Sequence, residues 1–478
     1  MIDGLIRAQA RLQPTSHAIV MPTCQITYAQ FDAAIDRACH ALDGLCATRP
    51  DCVSVAVQSD YYLHWIVVMA LSRSGIATTP PGDLEAPATV SDTELARANV
   101  FNISSSMKEL IFGGRLAPFT EPSRVPEALG RVLCSSGTTG AVKRIGLSWR
   151  IIEARVRNAV RDYGPIAGPC VADSGIDTAL GLITSLAAWA SGSAVVWNHD
   201  LDPERLALMR PHLITLVPYR LGQLLCAIPE GYPSWRLRLI CGGGAIPAQF
   251  IDRVRRQPGW VLNNLYGSSE AGTIALAGME DLECDPAVAG AILPNVEVQI
   301  IDENGAPVAK GSVGELKVRG EKVISNDLIP RTIASPSKGG WLHTGDICRF
   351  NEQGFLVLEG RVDDVINIAG QKLLPAWIEA AAISCPEVSE AAAFAMPDGN
   401  GLESCWMALV TSEEIRPDVF RNSLQEVLKW IPKIHLFRVH SLPRNAMGKV
   451  ERLRLPEILY EATKGSQSGT SILSNSVV

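Results

Sequence analysis

The sequence predicts an α/β protein built from a large N-terminal domain of layered α/β subdomains, a smaller β-rich subdomain and a small α+β C-terminal domain. Two observations carry this prediction. Strand-like apolar runs alternate with helical segments up to about residue 275, a pattern that favours parallel strands covered by helices. After about residue 290 strand-like runs and turn signals dominate, and helical patterns return from about residue 364.

The first strong helix is predicted to begin at Thr27, because Thr27 and Gln30 have the spacing of a capping box. An apolar stripe at helical spacing follows, formed by Phe31, Ile35, Ala38 and Leu42. A short β-type run at 53–57 and an apolar stretch at 65–71 come next. These segments open the alternating pattern of the N-terminal domain.

The β-rich part is predicted from strand-like runs at 296–301, 315–319 and 355–358, with a hairpin-type turn at Asn304-Gly305. In the C-terminal part, Pro375 suits the first turn of a helix.

Further strands are predicted there at 391–395 and 405–410. A second amphipathic helix carries Phe420, Leu424, Val427, Leu428 and Ile431. The predicted organisation is an N-terminal domain at 1–361 with its β-rich part at about 290–361, a hinge at 362–364, a C-terminal domain at 365–462 and a disordered, Ser- and Gly-rich tail at 463–478.

Composition excludes several classes of function. The formal net charge of −7 argues against nucleic acid or an anionic membrane as a partner. No apolar segment approaches the roughly 20 residues that span a bilayer, and the N-terminus lacks the features of a signal peptide. The 12 cysteines form no CxxC pair, so neither a zinc site nor a redox pair is indicated. We therefore expect a cytoplasmic protein with reduced thiols.

The most distinctive segment is a glycine-rich loop that follows a strand-like run at 131–134. It reads Ser-Ser-Gly-Thr-Thr-Gly-Ala-Val-Lys at 135–143. Glycines let main-chain N–H groups approach phosphate oxygens, and the hydroxyls and the lysine add donors. The loop differs from the P-loop of kinases and GTPases, because Val142 precedes Lys143 and Arg144 follows it. On composition alone, a polar surface turn explains the segment equally well.

This loop resembles the phosphate loop of the adenylate-forming superfamily, which includes acyl-CoA synthetases, adenylation domains of peptide synthetases and beetle luciferases. The family loop reads Ser/Thr-Ser-Gly-Thr-Thr-Gly-x-Pro-Lys-Gly, so Val142 and Arg144 depart from it. Neither departure removes a phosphate donor. The resemblance implies that the phosphates of ATP are bound by Ser135, Ser136, Gly137, Thr138, Thr139, Gly140 and Lys143.

Two further segments resemble family motifs around the adenine. A strand at 239–241 ends in a glycine turn, and the resemblance implies that this turn packs against adenine and borders the acyl pocket through Gly243, Gly244 and Ala245. The run Tyr-Gly-Ser-Ser-Glu at 266–270 resembles the family's Tyr-Gly-x-Thr-Glu.

The match at 266–270 implies roles for four residues. Tyr266 and Gly267 would lie at the adenine, and Ser269 would bind the α-phosphate. Glu270 would help to hold Mg²⁺, which prefers oxygen ligands. Ser269 replaces the family's Thr, which keeps the hydroxyl but loses a methyl group.

The C-terminal third carries the remaining motifs. In Thr-Gly-Asp at 344–346, Asp346 would accept hydrogen bonds from the ribose hydroxyls. The run at 359–370 resembles the family's hinge, where Arg361 would contact ribose and phosphate and Asp363 would stand at the hinge itself. Gly370 would lie where the backbone passes an incoming pantetheine arm.

The last motif, at 443–452, resembles Pro-Arg-x-x-x-Gly-Lys-x-x-Arg, and the match implies that Lys449 is the adenylation lysine. Trp377 departs from the family, which usually has Glu there. Each motif alone is also explained by an ordinary turn or a solvated side chain. The prediction therefore depends on their joint occurrence in the family's order.

The resemblance implies ATP-dependent activation of a small-molecule carboxylic acid to an acyl-adenylate, release of pyrophosphate and transfer of the acyl group to CoA, with rotation of the small domain between the two steps. ATP, Mg²⁺ and CoA are the expected cofactors. The acyl pocket would lie around 172–182, 242–244 and 268–272, where Asp177 faces either the substrate or water.

Two alternatives remain open from the sequence. In the first alternative the chain is a stand-alone adenylation enzyme, and the acyl acceptor is a carrier-protein pantetheine or an amine instead of CoA. In the other alternative the chain binds nucleotide or acyl-adenylate without adenylating, an interpretation motivated by the departures at Val142, Arg144, Ser269 and Trp377.

Overall fold

The computed structural model describes residues 2–42, 52–55, 60–80, 100–101, 105–113, 125–136, 142–164, 166–197, 200–229, 232–324, 340–368, 371–397, 403–411, 419–422, 434–445, 448–463 and 471–477. The chain packs as two compact units. Unit 1 comprises residues 1–135, 142–298 and 318–343, and unit 2 comprises residues 136–141, 299–317 and 344–478.

Unit 1 alternates helices with short strands. Its helices are α1 (Ile2–Leu12), α2 (Tyr28–Ala41), α3 (Tyr61–Arg73), α4 (Ser105–Gly113), α5 (Trp149–Tyr163), α6 (Ala179–Ala190), α7 (Pro203–Met209), α8 (Pro218–Ala227), α9 (Ala248–Arg255) and α10 (Met279–Cys284). Its strands are β1 (His17–Val20), β2 (Gln25–Thr27), β3 (Cys52–Val55), β4 (Ala77–Thr79), β5 (Val100–Phe101), β6 (Leu129–Ser136), β7 (Val142–Ser148), β8 (Cys170–Ala172), β9 (Val195–Val196), β10 (Leu213–Leu216), β11 (Leu237–Gly242), β12 (Trp260–Ser268), β13 (Gly272–Ala277) and β14 (Val288–Ile292).

Two sheets organise unit 1. One has the strand order β5-β3-β4-β6-β7, and the other runs β14-β13-β12-β11-β10-β8-β9-β1-β2. The pairs β12–β11, β11–β10, β10–β8 and β8–β9 are parallel, β12 is antiparallel to β13, and β3 is parallel to both β4 and β5. The prediction of parallel strands alternating with helices is therefore confirmed.

The core of unit 1 contains the predicted amphipathic helix α2. The Thr27 side chain accepts a hydrogen bond from the Gln30 N–H and the Gln30 side chain accepts one from the Thr27 N–H, so the capping box is confirmed. The stripe of this helix is buried, and Phe31 packs against Trp189 with ring centroids 5.3 Å apart. The apolar run at 65–71 lies inside α3, which is buried on nearly every side.

Unit 2 begins with a β-rich part. Its strands are β15 (Glu297–Ile301), β16 (Gly314–Arg319), β17 (Leu342–Phe350), β18 (Leu356–Arg361), β19 (Ile366–Ile368), β20 (Gln371–Leu373), β21 (Val388–Pro397), β22 (Glu403–Thr411), β23 (Ile434–Arg438) and β24 (Ser471–Val477). The helices are α11 (Pro375–Ile383) and α12 (Leu455–Thr463), and 3-10 turns lie at Val362–Asp364 and Arg452–Arg454. The first residues of β15 and β17 and the last of β16 belong to unit 1.

Five strands of unit 2, β15, β16, β18, β21 and β22, follow the predicted runs. Strands β15, β16, β17 and β18 are hydrogen-bonded neighbours in that order, and β19 pairs with β20. A four-stranded sheet has the order β21-β22-β23-β24. Pro375 opens α11 as predicted, and this helix packs on the core of the four-stranded sheet through Ile378 and Ala382. Of the second predicted amphipathic helix, residues 423–433 lie outside the described residues. The predicted domain boundaries and the hinge at 362–364 stay predictions.

The C-terminal tail differs from expectation in one part. Residues 471–477 form β24, which pairs antiparallel with β23, so disorder was the wrong prediction for this segment. The physical reason is that β23 would otherwise present an open edge of N–H and C=O groups, which a returning chain satisfies whatever its composition. Within the described ranges, every helix is too short or too polar to cross a membrane.

Candidate active site

The carboxyl ends of parallel strands in unit 1 bring two predicted motifs to one sheet edge. Strands β11 and β12 pair in register, with Gly242 opposite Leu265. The glycine turn that leaves β11 and the Tyr-Gly run that ends β12 therefore lie side by side. Gly243 has φ +89°, a conformation that favours glycine, and Gly243, Gly244 and Ala245 are exposed. Such an edge is where α/β sheets bind ligands.

A tight turn follows β12 and presents the predicted phosphate and metal residues. Tyr266 is buried, whereas Ser269 and Glu270 are half-buried. A Cβ at Gly267 would lie 2.3 Å from the carbonyl oxygen of Gly272, so only glycine fits at position 267. Gly272 itself has φ +70°. We call residues 266–272 the Tyr-Gly turn.

An arginine that the motifs do not include lies behind the Tyr-Gly turn. Arg155 of α5 is 4% exposed and donates hydrogen bonds to the carbonyl oxygens of Ser269 (2.9 Å), Glu270 (2.9 Å) and Lys322 (3.0 Å). Burial lowers the pKa of Arg155 to about 10, against the opposing charge of Glu270. The sequence alone could have indicated a buried charge at this position, because Arg155 lies at helical spacing between the apolar residues Ile151 and Ala159.

The Tyr-Gly turn suits a magnesium ion that is bound together with phosphates. Among the described residues, no hydrogen bond or ion pair engages the Glu270 carboxylate, which remains available as an oxygen ligand. The described part of the chain also holds no group of three or more His, Cys, Asp or Glu that could bind a metal ion. A single carboxylate is consistent with Mg²⁺, which keeps several waters and takes its other ligands from substrate phosphates.

The predicted acyl-pocket segment contains an ion pair that the sequence did not reveal. Asp177 accepts a hydrogen bond of 2.7 Å from Arg131, which is 1% exposed and also donates to Thr78 at 2.8 Å. His64 Nε2 lies 3.9 Å from the same oxygen of Asp177, and burial lowers the pKa of His64. A buried arginine thus holds one oxygen of Asp177, whose side chain is 43% exposed, and its role in the acyl pocket stays a prediction.

In unit 2, Asp346 and Arg361 form a pair at the predicted ribose site. They lie opposite each other on β17 and β18, and Arg361 Nη1 is 2.6 Å from Asp346 Oδ1. Thr344 Oγ1 accepts from the Asp346 N–H (3.0 Å) and donates to the Leu316 carbonyl (2.8 Å). Gly345 has φ +71°, which lets the chain turn between these two polar side chains.

Asp363, the residue of the predicted hinge, and Trp377 also lie in unit 2. Asp363 is exposed on the 3-10 turn. The Trp377 indole N–H donates to the Glu359 carboxylate at 2.9 Å, and the other oxygen of that carboxylate is 2.6 Å from Arg349 Nε. Trp377, which stands where the family usually has Glu, therefore has a structural role: its indole N–H is the hydrogen-bond donor to the second oxygen of Glu359.

Lys449 lies in an exposed loop whose shape is held locally. We call residues 443–451 the lysine loop. The Asn445 N–H donates to the Lys449 carbonyl (2.9 Å), and the Asn445 side chain accepts from the Lys449 N–H (3.0 Å). Arg444 donates to the Gly448 carbonyl (2.8 Å) and pairs with Glu390.

The arginine that ends the same motif has a structural partner that the sequence did not indicate. Arg452 binds the Glu379 carboxylate at 2.6 Å and the Ala393 carbonyl at 3.2 Å, and lies 3.8 Å from Asp364. Glu379 also accepts from the Ala393 N–H. This network anchors one end of the lysine loop to α11 and β21.

Several residues of the predicted phosphate and pantetheine sites lie outside the described residues. They are Gly137, Thr138, Thr139, Gly140 and Gly370. The main chain of three other predicted residues is described: Ser135 and Ser136 end β6, and Lys143 lies on β7.

Comparison with known proteins locates these motifs in a family. The family described as "AMP-binding enzyme" matches residues 81–326, which include the glycine-rich loop and the Tyr-Gly turn. The long-chain-fatty-acid–CoA ligase of Escherichia coli O157:H7 is 26% identical over 374 residues, 73% of this chain. The aligned part amounts to 65% of that ligase, so the chain spans less than two thirds of its length.

Solved structures are similar over nearly the whole chain. The o-succinylbenzoate CoA synthetase of Bacillus subtilis, in complex with an acyl-adenylate intermediate, has a TM-score of 0.78 at 21% identity and covers 94% of this chain and 97% of its own. An amide bond synthetase from Marinactinospora thermotolerans has a TM-score of 0.77 at 23% identity, with coverage of 96% and 100%. This likeness concerns the fold, and it confirms the predicted α/β fold class.

Proposed function

Because the chain belongs to the AMP-binding enzyme family, the adenylate-forming superfamily that its motifs resemble, we propose that it activates a carboxylic acid with ATP and transfers the acyl group to CoA, in the cytoplasm. One observation carries the proposal. The Tyr-Gly turn presents Ser269 and Glu270 at the carboxyl edge of the parallel sheet, next to the glycine turn of residues 243–245. A hydroxyl and a carboxylate at this edge suit a nucleotide phosphate and its metal ion.

The proposed first step needs no side-chain nucleophile. A carboxylate oxygen of the substrate forms a bond to the α-phosphorus of ATP, and the bond from that phosphorus to the bridging oxygen breaks. Pyrophosphate leaves with the electron pair, and the product is a mixed anhydride with AMP. Catalysis of such a step consists of positioning and charge neutralisation.

Five of the predicted residues have a task in that step. Ser269 donates its hydroxyl hydrogen bond to the α-phosphate, and Tyr266 lies against the adenine. Mg²⁺, held by Glu270, would supply neutralisation of phosphate charge when bound. Lys143 and Lys449 add cationic charge from the glycine-rich loop and the lysine loop.

In unit 2, Asp346 accepts hydrogen bonds from the ribose hydroxyls while the hydrogen bond from Arg361 orients its carboxylate.

In the second step, the thiol sulfur of CoA bonds to the acyl carbon, the thiol proton is released and AMP leaves with the electron pair. We propose that unit 2 reorients about Asp363 between the steps, so that Lys449 withdraws and the strand near Gly370 approaches the pantetheine. Similarity to CoA ligases supports CoA as the acceptor.

A second candidate for the acceptor is an amine, which would give an amide. The similarity to an amide bond synthetase over 96% of the chain favours keeping this candidate. Both candidates share the adenylation step and differ only in the nucleophile that attacks the acyl carbon.

The test is ATP–pyrophosphate exchange with Mg²⁺ and no acceptor, across fatty, aromatic, cyclic and amino acids. Exchange with one class of acid supports adenylation and identifies the substrate class. CoA and a panel of amines are then added in parallel to the loaded enzyme, and the acyl product is identified by mass. No exchange with any acid, in folded protein that binds AMP, would replace the proposal with a nucleotide-binding role.

A further inference from the structure

A buried arginine lies against the main chain of the Tyr-Gly turn. Arg155 is 4% exposed, and its hydrogen bonds within the described part of the chain all end on main-chain carbonyl oxygens. Burying a cation without a paired carboxylate is costly, and a hydrocarbon side chain would fill the same space at lower cost. The arrangement therefore calls for an explanation other than packing.

The guanidinium is a rigid, planar group, and each of its three nitrogens donates a hydrogen bond to a different carbonyl oxygen. Nη1 and Nη2 bond the carbonyls of two successive residues, Ser269 and Glu270, both at 2.9 Å. Nε bonds the carbonyl of Lys322 at 3.0 Å. Since one planar group fixes the carbonyls of Ser269 and Glu270, the directions in which the side chains of these two residues leave the main chain are fixed as well.

Two neighbours reinforce this contact. The Ile324 N–H donates to the same Glu270 carbonyl at 3.0 Å, so the carbonyl has two donors. Gly272 leaves room for the arginine, because a Cβ there would lie 3.2 Å from Arg155 Nε. The space beside the turn thus fits a guanidinium closely.

We propose that Arg155 is a positioning residue for adenylation, which sets the directions of the Ser269 hydroxyl and the Glu270 carboxylate by holding their two carbonyls. This inference rests on the proposed function for its effect on rate, whereas the clamp on the turn is independent of it. Arg155 touches neither nucleotide nor metal in this role. Small displacements of groups that contact the reacting phosphate lower rates steeply.

The first test is local and needs no substrate. Arg155→Met and Arg155→Lys are compared with wild type by hydrogen exchange, with Arg157→Met as the matched control, because Arg157 lies on the same helix with a side chain that is 64% exposed. In Arg155→Met the amides of residues 268–273 should exchange about tenfold faster, while those of 213–216 stay unchanged. Arg155→Lys should be intermediate. Unchanged exchange at 268–273 in both variants would overturn the clamp.

The second test links the clamp to chemistry. Arg155→Met should lower kcat for ATP–pyrophosphate exchange by about 100-fold, with a KM for the acid close to that of wild type and a higher Mg²⁺ requirement. In a Glu270→Gln background, Arg155→Met should lower kcat by a much smaller factor, because the carboxylate that Arg155 positions is already absent. Full additivity of the two substitutions would overturn the positioning role.

The two proposals fail in different ways. If none of the tested acids supports ATP–pyrophosphate exchange by the wild-type protein, the proposed function is wrong. The contact between Arg155 and the Tyr-Gly turn is then tested by hydrogen exchange alone. If wild type is active and Arg155→Met is equally active despite faster exchange at 268–273, the positioning role is overturned and adenylation stands.

Discussion

The Tyr-Gly turn of unit 1 and the lysine loop of unit 2 present the predicted catalytic side chains in opposite ways. The turn is fixed from outside, by a buried guanidinium on α5 that is more than 100 residues away in sequence. The lysine loop is held by hydrogen bonds of Asn445 and Arg444 inside the loop and by the pair between Arg444 and Glu390, and Lys449 is exposed. The residues proposed to stay still are therefore clamped by one buried side chain, whereas the main chain of the residue proposed to move is hydrogen-bonded by Asn445 of its own loop.

The largest expected effect comes from the lysine loop. Lys449→Ala should lower ATP–pyrophosphate exchange by about 10²–10³-fold, because a cation at the transferring phosphoryl group is lost. The melting temperature should not change, since the side chain is exposed. Transfer from a synthetic acyl-adenylate to the acceptor should be nearly normal. Lys310→Ala, another exposed lysine, serves as the control, and equal loss in both half-reactions would contradict the assignment.

A buried lysine on the side of the Tyr-Gly turn gives the next effect. Lys322 is 1% exposed, its Nζ has no hydrogen-bond partner among the described residues, and burial lowers its pKa to about 8 from the ordinary 10.5. Lys322→Met should stabilise the protein by about 3 kcal/mol at pH 7. Lys310→Met should have no such effect.

The pH dependence provides the check on Lys322. Between pH 8 and pH 10.5 the unfolded chain holds a proton on this lysine that the folded chain has released, so the stability of the wild type should rise with pH in that range. Melting temperatures measured by calorimetry from pH 7 to pH 10 should show this rise in wild type and a reduced rise in Lys322→Met. Parallel curves would refute the prediction.

The ion pair in unit 2 should have a moderate effect on nucleotide binding. Asp346→Asn should raise the KM for ATP about tenfold, since a charged acceptor for the ribose hydroxyls becomes a neutral amide. Glu303→Gln is the matched control, because its carboxylate pairs with Lys372 at the surface. An unchanged KM for ATP in Asp346→Asn would remove Asp346 from the proposed nucleotide site.

The smallest effect concerns Trp377. Trp377→Phe removes the donor to Glu359 and should cost about 1 kcal/mol of stability. Trp406→Phe is the control in the same unit, because the Trp406 indole N–H has no hydrogen-bond partner within the described residues. Equal losses of melting temperature in the two variants would show that packing alone, without the hydrogen bond, explains Trp377.

Sequence alone could predict those features whose physics is local. The capping box at Thr27, the helix start at Pro375 and the positive-φ glycines that follow strands all depend on neighbouring residues. The motif residues of the site were identified by their resemblance to the family's motifs. Contacts between distant segments were not, because nothing in the sequence indicates that Arg131 reaches Asp177, 46 residues away.

The same limit explains two features that the sequence did not indicate, one in the site and one at the C-terminus. Arg155 could have been flagged as a charge in an apolar stripe, but its carbonyl partners could not have been named. Residues 471–477 look like a polar tail, and they form a strand only because β23 offers an edge. In both cases the partner decides the outcome, and the partner is remote in sequence.

The closed hydrogen-bond pattern of the lysine loop has a consequence for protein engineering. The Glu451 N–H bonds the Pro443 carbonyl, and Arg444 bridges to Val450, so the nine residues begin and end at one point. Transplantation of this segment into a related scaffold should keep the orientation of its lysine when Glu390 and Glu379, the partners of Arg444 and Arg452, are present in that scaffold. The Tyr-Gly turn could not be transplanted in this way without the helix that carries Arg155.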